Sequence, residues 1–467
     1  MGNNDFKSHN IFFEGPNFFT RAFDEVWGPY IPQDQHTTFQ KGAYFSKEVI
    51  ADDLAVLSLN TMYWYDANAA VRGCKGRDDP GSIELDWMEE TLHRYHNRSM
   101  QVHLMGHVPP TTGNYFSDCY DRYTEIVLRY QDTVVGQHYG HMNVDAWFLQ
   151  EDVSLSLEGK GEEMTSLEQG DVYTQSFPSG LRKDFDTVPT KQKTNSDAYS
   201  AFFVSPSIVP TYLPTVRVWT YNATRPLEKQ SKLQSHSEGR HTPHEQLAFD
   251  ETVDLTLSLD DSVSNFFLNF SKSAHTSGRS HRRPRKGKKK HRKHKDLPRH
   301  TSPDSPSRRN TYLTMLGYSQ WVLDLDGHNR RYRKEAKKGK EHSGLEYQLE
   351  YTTYEAKTLW SEYLETNLEN NAHVPVPRQL LDKELSRLNA RSPSLALNPW
   401  FINPFVKAVH NKVKKVKVPR KLRHLTNYSI PSFTVDHLLE WARELAGNNV
   451  MWKSFLLRIY SESGSEG

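Results

Sequence analysis

The chain has 467 residues, enough for one large domain or two ordinary ones, and its mean hydropathy of −0.76 is low for a protein that is packed throughout. Lys and Arg number 59 against 57 for Asp and Glu, which excludes a uniformly basic or acidic protein. No apolar run reaches the roughly 18 residues that span a bilayer, residues 1–20 lack the zones of a signal peptide, and two cysteines exclude a disulfide-rich scaffold. We therefore expect a packed core diluted by long polar inserts.

The N-terminal part of the chain is predicted to alternate between strands and helices. The nearly continuous apolar run at 54–59 is typical of a buried strand. A helix is expected after Pro80, with Ser82 as its N-cap and a buried stripe at helical spacing. That stripe consists of Leu85, Met88, Leu92 and Tyr95. Residues 101–105 and 133–135 are predicted as the next two strands, and a loop rich in His, Gly or Pro follows each.

Composition divides the remainder of the chain. Strand character returns over 200–222, and two further strands are predicted at 318–325 and 345–354. The predicted divisions are residues 1–222 with an irregular polar insert at about 151–195, a disordered basic insert at 223–310, strands that complete the domain at 311–356, and a helical basic region at 357–467.

Three loops carry groups that ligate metal ions. They are Gly2-Asn3-Asn4-Asp5, Gly106-His107-Val108-Pro109-Pro110 and Gly140-His141-Met142-Asn143. Imidazole nitrogens and amide oxygens suit a pair of divalent ions that activate water and neutralise phosphoryl charge. A glycine before each histidine lets the backbone turn at the strand end. Because open α/β sheets place their sites at the carboxyl ends of the strands, we expect the loops to meet there.

Each loop taken alone has a simpler interpretation. A histidine after a glycine is more often a loop or core residue than a ligand, and turns containing Asn are commoner still. We interpret His9, His103 and His138 as residues of that ordinary kind. Asp34-Gln35-His36 and Asp326-Gly327-His328 have the spacing of a metal-binding Asp-x-His loop, but neither follows a buried strand, so both are interpreted as surface turns.

Taken together in their order along the chain, the three loops resemble the second half of the calcineurin-like metallophosphoesterase superfamily. That superfamily has a Gly-Asn-His-(Asp/Glu) loop, then a lone-His loop and then a Gly-His-x-His loop. The closer resemblance is to the endopolyphosphatase family, related to acid sphingomyelinases. It is also carried by Ser58-Leu59-Asn60-Thr61-Met62-Tyr63-Trp64-Tyr65, Asp78-Asp79-Pro80-Gly81-Ser82, Gly113-Asn114-Tyr115-Phe116 and Pro206-Ser207-Ile208-Val209-Pro210-Thr211-Tyr212. The resemblance implies an α/β (α+β) fold, the C-terminal part of a β-sandwich flanked by helices, with residues 1–222 as its main part.

The resemblance implies a site for two divalent metal ions, with Mn²⁺, Mg²⁺, Co²⁺ or Zn²⁺ as candidates. It implies Asn3, His107 and His141 as ligands of one ion, and Asn143, at the position of the second His of relatives, as a ligand of the other. Asn4 stands where relatives that cleave alkyl phosphodiesters have a general-acid His. A phosphate leaving group, whose last pKa is near ~6, needs little protonation. Asn4 therefore favours inorganic polyphosphate as the substrate over a lipid diester.

The superfamily pattern begins upstream, with an Asp-x-His loop and a Gly-Asp-x-x-x-Arg loop. This sequence starts at the third loop, so we expect it to encode half of the metal site, and its own activity is in question. The leading interpretation is a metal-dependent endopolyphosphatase that cleaves internal phosphoanhydride bonds. The alternatives are a non-catalytic remnant that binds polyphosphate and a sphingomyelinase-like phosphodiesterase.

A basic run at 279–295 contains eleven Lys or Arg residues and three His. The simpler interpretation is a solvated surface insert. The sharper hypothesis is that the run captures polyphosphate by counterion release. Its candidate contacts are Arg282, Arg283, Lys288, Lys289 and Lys290. Because no aromatic residues interleave for base stacking, nucleic acid is not expected as a partner.

The predicted compartment is oxidising. Cys74 and Cys119 are able to form one disulfide there, and sequons offer Asn97, Asn222, Asn269 and Asn427 for glycosylation. With the family resemblance, these features predict the lumenal side of the vacuole membrane. Membrane contact is expected only through an N-terminal anchor that the family has and this sequence lacks.

Overall fold

The computed structural model describes residues 1–152, 177–208, 212–225, 298–339, 344–357, 359, 423, 425–426 and 428–460. Two compact units divide the chain: Met1–Thr224 with Pro298–Gly467, and Arg225–Leu297, of which only Arg225 is described. The first unit contains all the helices and strands considered below. Within the described residues, no helix combines the length and the apolar character needed to cross a membrane.

Within the described residues, nine strands form two sheets. The strands are β1 (Phe45–Ile50), β2 (Leu54–Ser58), β3 (Gln101–Met105), β4 (Val134–Tyr139), β5 (Ala146–Glu151), β6 (Tyr199–Val204), β7 (Thr215–Tyr221), β8 (Met315–Val322) and β9 (Gln348–Thr352). The larger sheet has the order β1-β2-β3-β4-β6-β5, and the smaller is antiparallel β7-β8-β9. In the larger sheet β2, β3, β4 and β6 run parallel, whereas β1 and β5 are antiparallel edge strands. The predicted strands at 54–59 and 101–105 thus become neighbouring parallel strands of the larger sheet.

The described α-helices are α1 (Phe18–Trp27), α2 (His36–Gly42), α3 (Pro80–Asn97), α4 (Ser117–Arg129), α5 (Phe177–Asp186), α6 (Leu325–Ala336), α7 (Val435–Gly447) and α8 (Asn449–Ile459). Helix α3 connects β2 to β3, and α4 connects β3 to β4. The predicted stripe of α3 is buried, with Tyr95 the most exposed member at 7%. The N-cap prediction was wrong. The cap is Asp79, whose carboxylate accepts a hydrogen bond from the Gly81 amide at 3.1 Å, because Pro80 fits the first helical position and moves the start upstream of Ser82.

The larger sheet lies between helices on one face and the smaller sheet on the other. On the helix face, the Tyr123 hydroxyl of α4 donates to Gln137 of β4 at 2.6 Å. On the opposite face, Trp219 of β7 packs edge-on against His138 of β4 and Phe203 of β6, with ring centroids 4.6 and 5.1 Å apart. This layered arrangement confirms the predicted α/β (α+β) sandwich flanked by helices.

The C-terminal helices complete the core beside β5. Trp147 of β5 is sandwiched between Phe185 of α5 and Trp441 of α7, with ring centroids 4.6 and 4.7 Å away and nearly parallel planes. All three side chains are at most 2% exposed. Residues more than 250 positions apart along the chain therefore share one hydrophobic cluster, which the local sequence pattern does not reveal.

Two histidines pair between β3 and β4, on the face covered by the smaller sheet. His103 Nδ1 lies 3.1 Å from His138 Nε2, and Gly136 leaves the room they occupy, since a Cβ there would come within 2.5 Å of His103 Nδ1. Burial lowers the pKa of His103 to about 4 and that of His138 well below its usual value. The pair is therefore neutral at neutral pH and belongs to the core, in agreement with the sequence interpretation.

Protonation of this pair should destabilise the fold. Since the pKa of His103 in the folded state lies below that of an unfolded His, the unfolded state binds more protons between about pH 6.5 and 4. The free energy of unfolding should therefore fall as the pH is lowered through this window. His103→Gln should make the fall shallower in urea titrations at a series of pH values. An unchanged slope would contradict the assignment.

Cys74 and Cys119 form a disulfide that joins the loop before α3 to the first turn of α4. The bond closes a loop with a sequence separation of 45 residues, for which restriction of the unfolded chain contributes roughly 3–4 kcal/mol. The double variant Cys74→Ser, Cys119→Ser should lose about that much free energy of unfolding in denaturant titrations. Reductant should destabilise the wild type equally and leave the variant unchanged. A reductant effect on the variant would show that the loss arises elsewhere.

Candidate metal centre

The loops after β2, β3 and β4 meet at one edge of the larger sheet. Parallel pairing aligns Ser58 with Met105 and Met105 with His138, so the three strands end side by side. The ladder continues into the loops: the Gly106 amide donates to the His138 carbonyl at 3.0 Å, and the Gly140 amide donates to the His107 carbonyl at 2.9 Å. The two histidine loops are therefore held in register by backbone hydrogen bonds.

The amide oxygen of Asn3 is the point on which the loops converge. His107 Nε2 lies 2.8 Å from Asn3 Oδ1, and His141 Nδ1 lies 3.1 Å from the same oxygen. The two imidazole rings meet edge to face with centroids 5.2 Å apart. Three side chains separated by up to 138 positions in sequence thus present one oxygen and two nitrogens to a common point.

Neighbouring residues fix the orientation of Asn3. Its Nδ2 donates to Asn10 Oδ1 at 3.0 Å and lies 3.1 Å from His9 Nε2, so Oδ1 is the atom that faces the histidines. Gly2 packs directly on His107, because a Cβ at Gly2 would lie 3.0–3.1 Å from three atoms of the imidazole ring. The first loop is thereby fitted against the second, and Asn3 is only 6% exposed.

Both histidines of the cluster are in the form that binds metal. Burial lowers the pKa of His107 to about 3, with a further contribution from His141, and burial lowers the pKa of His141 to about 4, with a contribution from His9. Both imidazoles are therefore neutral at neutral pH. Two neutral nitrogens and one amide oxygen form a donor set suited to a divalent transition metal ion.

The backbone of the third loop turns at residues other than the predicted glycine. His141 has φ +67° and Asn143 has φ +57°, both in the left-handed region, whereas Gly140 does not have positive φ. Left-handed backbone is uncommon outside glycine, although His and Asn adopt it more readily than most residues, and such geometry clusters at binding sites. Glycine is needed for space at Gly106 instead, where a Cβ would lie 2.4 Å from Thr61 Cγ2.

The segment after β2 supports the second loop. Thr61 Oγ1 accepts a hydrogen bond from the Val108 amide at 2.8 Å, next to His107. Asn60 is held in turn by Glu84 of α3, whose Oε1 accepts from the Asn60 amide at 2.6 Å. Burial raises the pKa of Glu84 well above its usual value. These residues position the histidine loop without joining the donor set.

A buried ion pair anchors the third loop to the smaller sheet. Asp145, two residues after Asn143, accepts from Arg217 Nη2 of β7 at 2.5 Å and from Gln320 Nε2 of β8 at 2.9 Å. Tyr351 of β9 also donates to Asp145. The side chains of Arg217 and Asp145 are 3% and 4% exposed. All three strands of the smaller sheet thus hold the loop that carries His141.

The remaining predicted ligands are placed as follows. Asn4 is exposed, beside Asn3, and Asn143 is half-buried in the third loop; their proposed roles stay predictions. Neither Asp-x-His segment is a surface turn. His36 begins α2, and its Nδ1 lies 2.6 Å from Asp24, whereas Asp326-Gly327-His328 lies in the first turn of α6, capped by Asp324. Asp326-Gly327-His328 was misinterpreted because a capped helix start has the same polar spacing as a turn. Asp34 and Gln35 belong to a 3₁₀ helix, Gln33–Gln35, that leads directly into α2.

The predicted modification and substrate residues are only partly described. Asn97 is exposed at the C-terminal end of α3, and Asn222 is half-buried just after β7. Asn269 and Asn427 lie outside the described residues, as do the basic residues Arg282, Arg283, Lys288, Lys289 and Lys290. Their predicted roles therefore stay predictions.

The larger sheet, layered between helices and a second sheet and with Asn and His side chains gathered at its parallel strand ends, has the α/β arrangement that the metallophosphoesterase resemblance predicts. No family model matches the chain. It is 33% identical, over 97% of its length, to an endopolyphosphatase of Cryptococcus neoformans var. neoformans serotype D, of which it covers 69%. It is also 37% identical, over 48% of its length, to an endopolyphosphatase of Schizosaccharomyces pombe, of which it covers 39%. It is 26% identical, over 80% of its length, to an endopolyphosphatase of Saccharomyces cerevisiae, of which it covers 67%.

The chain belongs to the endopolyphosphatase family, which confirms the family resemblance of its sequence. It is thus a member of a family of hydrolases. It spans about two thirds of the Cryptococcus protein and a smaller share of the relatives from Yarrowia lipolytica and Schizosaccharomyces pombe, 33% and 39%.

Removing the charge of Asp145 should destabilise the fold. In Asp145→Asn the guanidinium of Arg217 stays buried without its counter-ion, which costs about 3–5 kcal/mol of the free energy of unfolding. Urea titration measures the loss. The matched control is Asp78→Asn in the exposed Arg72–Asp78 pair, where solvent screens the interaction and no measurable loss is expected. Equal effects of the two variants would contradict an anchoring role for the buried pair.

Proposed function

We propose that this chain contributes a divalent-metal site to the hydrolysis of internal phosphoanhydride bonds in inorganic polyphosphate. The observation that carries the proposal is the approach of His107 and His141 to one oxygen of Asn3, at 2.8 and 3.1 Å. The relatives are endopolyphosphatases, and that name supplies the substrate class.

The donor set fits a metal ion of the proposed kind. Two ligand atoms of one tetrahedral ion, with bonds of about 2.0–2.2 Å, lie roughly 3.4 Å apart. Asn3 Oδ1 lies 2.8 and 3.1 Å from the two imidazole nitrogens, so the side chains need only a small outward shift to admit an ion. Asn143 is proposed to offer its amide oxygen to a second ion, so that Mn²⁺, Mg²⁺, Co²⁺ and Zn²⁺ are the candidates. Bound divalent ions in such a site activate water and neutralise the charge of phosphoryl oxygens.

The residues of the chain have two proposed tasks in this reaction. Asn3, His107 and His141 would hold a divalent ion whose charge attracts the polyanion, and because both imidazoles are already neutral, no net proton has to be removed before metal binds. Asn4, exposed at the same edge, lacks a titratable proton. A phosphate leaving group tolerates this, because it needs little general-acid assistance.

A second candidate function is polyphosphate binding without cleavage. The donor set favours this function, because the described contacts bring three candidate ligands to one point. A two-metal site needs more ligands than these three. Both candidate functions require affinity for polyphosphate, but only the first requires its hydrolysis. Hydrolysis therefore has to be measured together with binding.

For localisation, we propose the lumen of an oxidising compartment, with the vacuole as the candidate from the family resemblance. The Cys74–Cys119 disulfide supports an oxidising environment, since such bonds persist mainly outside the cytosol.

The test of the function compares ligand variants on long-chain polyphosphate. With Mn²⁺ present, His107→Gln and His141→Gln should each lower the rate of internal cleavage on the order of 100-fold, because one metal loses a ligand. His93→Gln, an exposed residue of α3, is the control and should keep the wild-type rate. Asn4→His should retain polyphosphate cleavage and increase hydrolysis of an alkyl phosphodiester. Full activity of both ligand variants would overturn the proposal, and wild-type binding without cleavage would favour the second candidate.

A further inference from the structure

A second group of potential metal ligands lies at the opposite edge of the larger sheet. It comprises His96, in the last turn of α3, Asp132, in the turn between α4 and β4, and His300, where the described chain resumes after residue 297. His96 and Asp132 come just before the amino ends of β3 and β4, whereas the candidate metal centre follows their carboxyl ends. The group is therefore separate from the cluster around Asn3.

We propose that His96, Asp132 and His300 bind one structural divalent metal ion of the Zn²⁺ class. One ligand atom from each residue lies within 4.8 Å of the other two, and all three residues are half-buried. His96 Nδ1 is 3.3 Å from Asp132 Oδ1, close to the ~3.4 Å that separates two ligands of a tetrahedral zinc ion with bonds of about 2.0–2.1 Å. A shift on the order of 1 Å brings the third ligand to the same spacing.

Backbone and side-chain contacts already hold these ligands in place. The Asp132 amide donates to the His300 carbonyl at 3.0 Å, and the His300 amide donates to the Arg129 carbonyl at 2.8 Å. Thr133 Oγ1 donates to the carboxylate of Asp132 at 3.0 Å, and the His300 ring stacks on Tyr130 with centroids 5.1 Å apart. Such outer contacts orient metal ligands, so binding requires little new ordering.

The charges of the group also suit a cation. The imidazole rings of His96 and His300 are tilted against each other with centroids only 3.9 Å apart, so one ion is within reach of both residues. The Asp132 carboxylate supplies the negative charge. Arg129 is the neighbouring cation, but its guanidinium is paired with Glu89. Two nitrogens and one carboxylate oxygen select Zn²⁺, Co²⁺ or Ni²⁺ over Mg²⁺ and Ca²⁺.

The position of the group gives the ion a structural task. His300 follows residues 226–297, which lie outside the described part of the chain, and precedes β8. A bound ion cross-links the described residues around His300 to the end of α3 and to the turn before β4. Because the ion binds the folded chain and not the separated ligands, it raises the thermal midpoint of unfolding in proportion to the logarithm of its concentration.

The test uses the full chain, stripped of metal with chelator and titrated with Zn²⁺. Zinc per chain is measured by mass spectrometry after gel filtration, together with the thermal midpoint. His300→Gln should bind one equivalent of zinc fewer than the wild type and lose the corresponding stabilisation. Asp132→Asn, which keeps the shape of the side chain, should weaken this binding on the order of tenfold or more. The matched control is His36→Gln, from a His–Asp pair with 2.6 Å between Nδ1 and Oδ1, and it should keep the wild-type stoichiometry.

A comparison with His107→Gln separates this site from the candidate metal centre. His107→Gln should retain the equivalent of zinc that His300→Gln loses, whereas His300→Gln should retain Mn²⁺ binding at the cluster around Asn3. The proposal is overturned if wild type, His300→Gln and Asp132→Asn bind the same amount of zinc with the same shift in thermal midpoint. It is also overturned if the zinc-dependent stabilisation disappears in His107→Gln.

Discussion

The parallel pairing of β2, β3 and β4 is the constraint on which the rest of this structure depends. It makes three strands end at the same edge and forces the loops that follow them to share that edge. The Gly106 amide donates to the His138 carbonyl and the Gly140 amide to the His107 carbonyl, so the backbone pairing continues past the ends of the strands. His107 and His141 therefore lie on neighbouring stretches of backbone. A one-residue slip would turn every side chain to the other face, which separates the two imidazoles and exposes the core.

The packing on both faces of the sheet protects that register. On the helix face, Glu84 of α3 holds Asn60, which lies next to the Thr61 hydroxyl that supports the His107 loop. On the other face, Asp145 and Arg217 bind the His141 loop to the smaller sheet. A buried ion pair often stabilises a fold no more than apolar packing of the same volume. We therefore attribute to the Asp145–Arg217 pair the orientation of the His141 loop rather than a net gain in stability. Core packing and ligand geometry are thus coupled through a few polar contacts.

Sequence alone predicted the parts of the fold that have a local signal. Strand β2 was predicted from the nearly continuous apolar run at 54–59, and the stripe of α3 from its helical periodicity. Edge strands β1 and β5 were missed for different reasons. In β1 three polar residues occupy the centre of the strand, and in β5 only four consecutive apolar residues precede Gln and Glu. The cap of α3 was assigned to Ser82 rather than Asp79, since several polar residues compete at that position.

The sequence predicted that the side chains of Asn3, His107 and His141 come together, but not which residues support them. The loops containing Asn3, His107 and His141 were recognised because they occur in the same order as the corresponding loops of the family. Arg217 carries no local signal, because its partner Asp145 is 72 positions away. The same is true of His96, Asp132 and His300, which share no motif and come together only through the turn before β4. Left-handed backbone at His141 and Asn143 was missed because the neighbouring Gly140 is the expected residue for a turn.

The central claim is that His107 and His141 act on one metal ion. A double-mutant cycle on Mn²⁺ affinity tests it most directly, with His107→Gln, His141→Gln and the double variant measured by calorimetry at constant pH. If the two side chains ligate the same ion, either single change removes most of the binding and the double variant is little worse, so the coupling free energy is large. Strictly additive losses would show that the two histidines act on independent sites and would contradict the account.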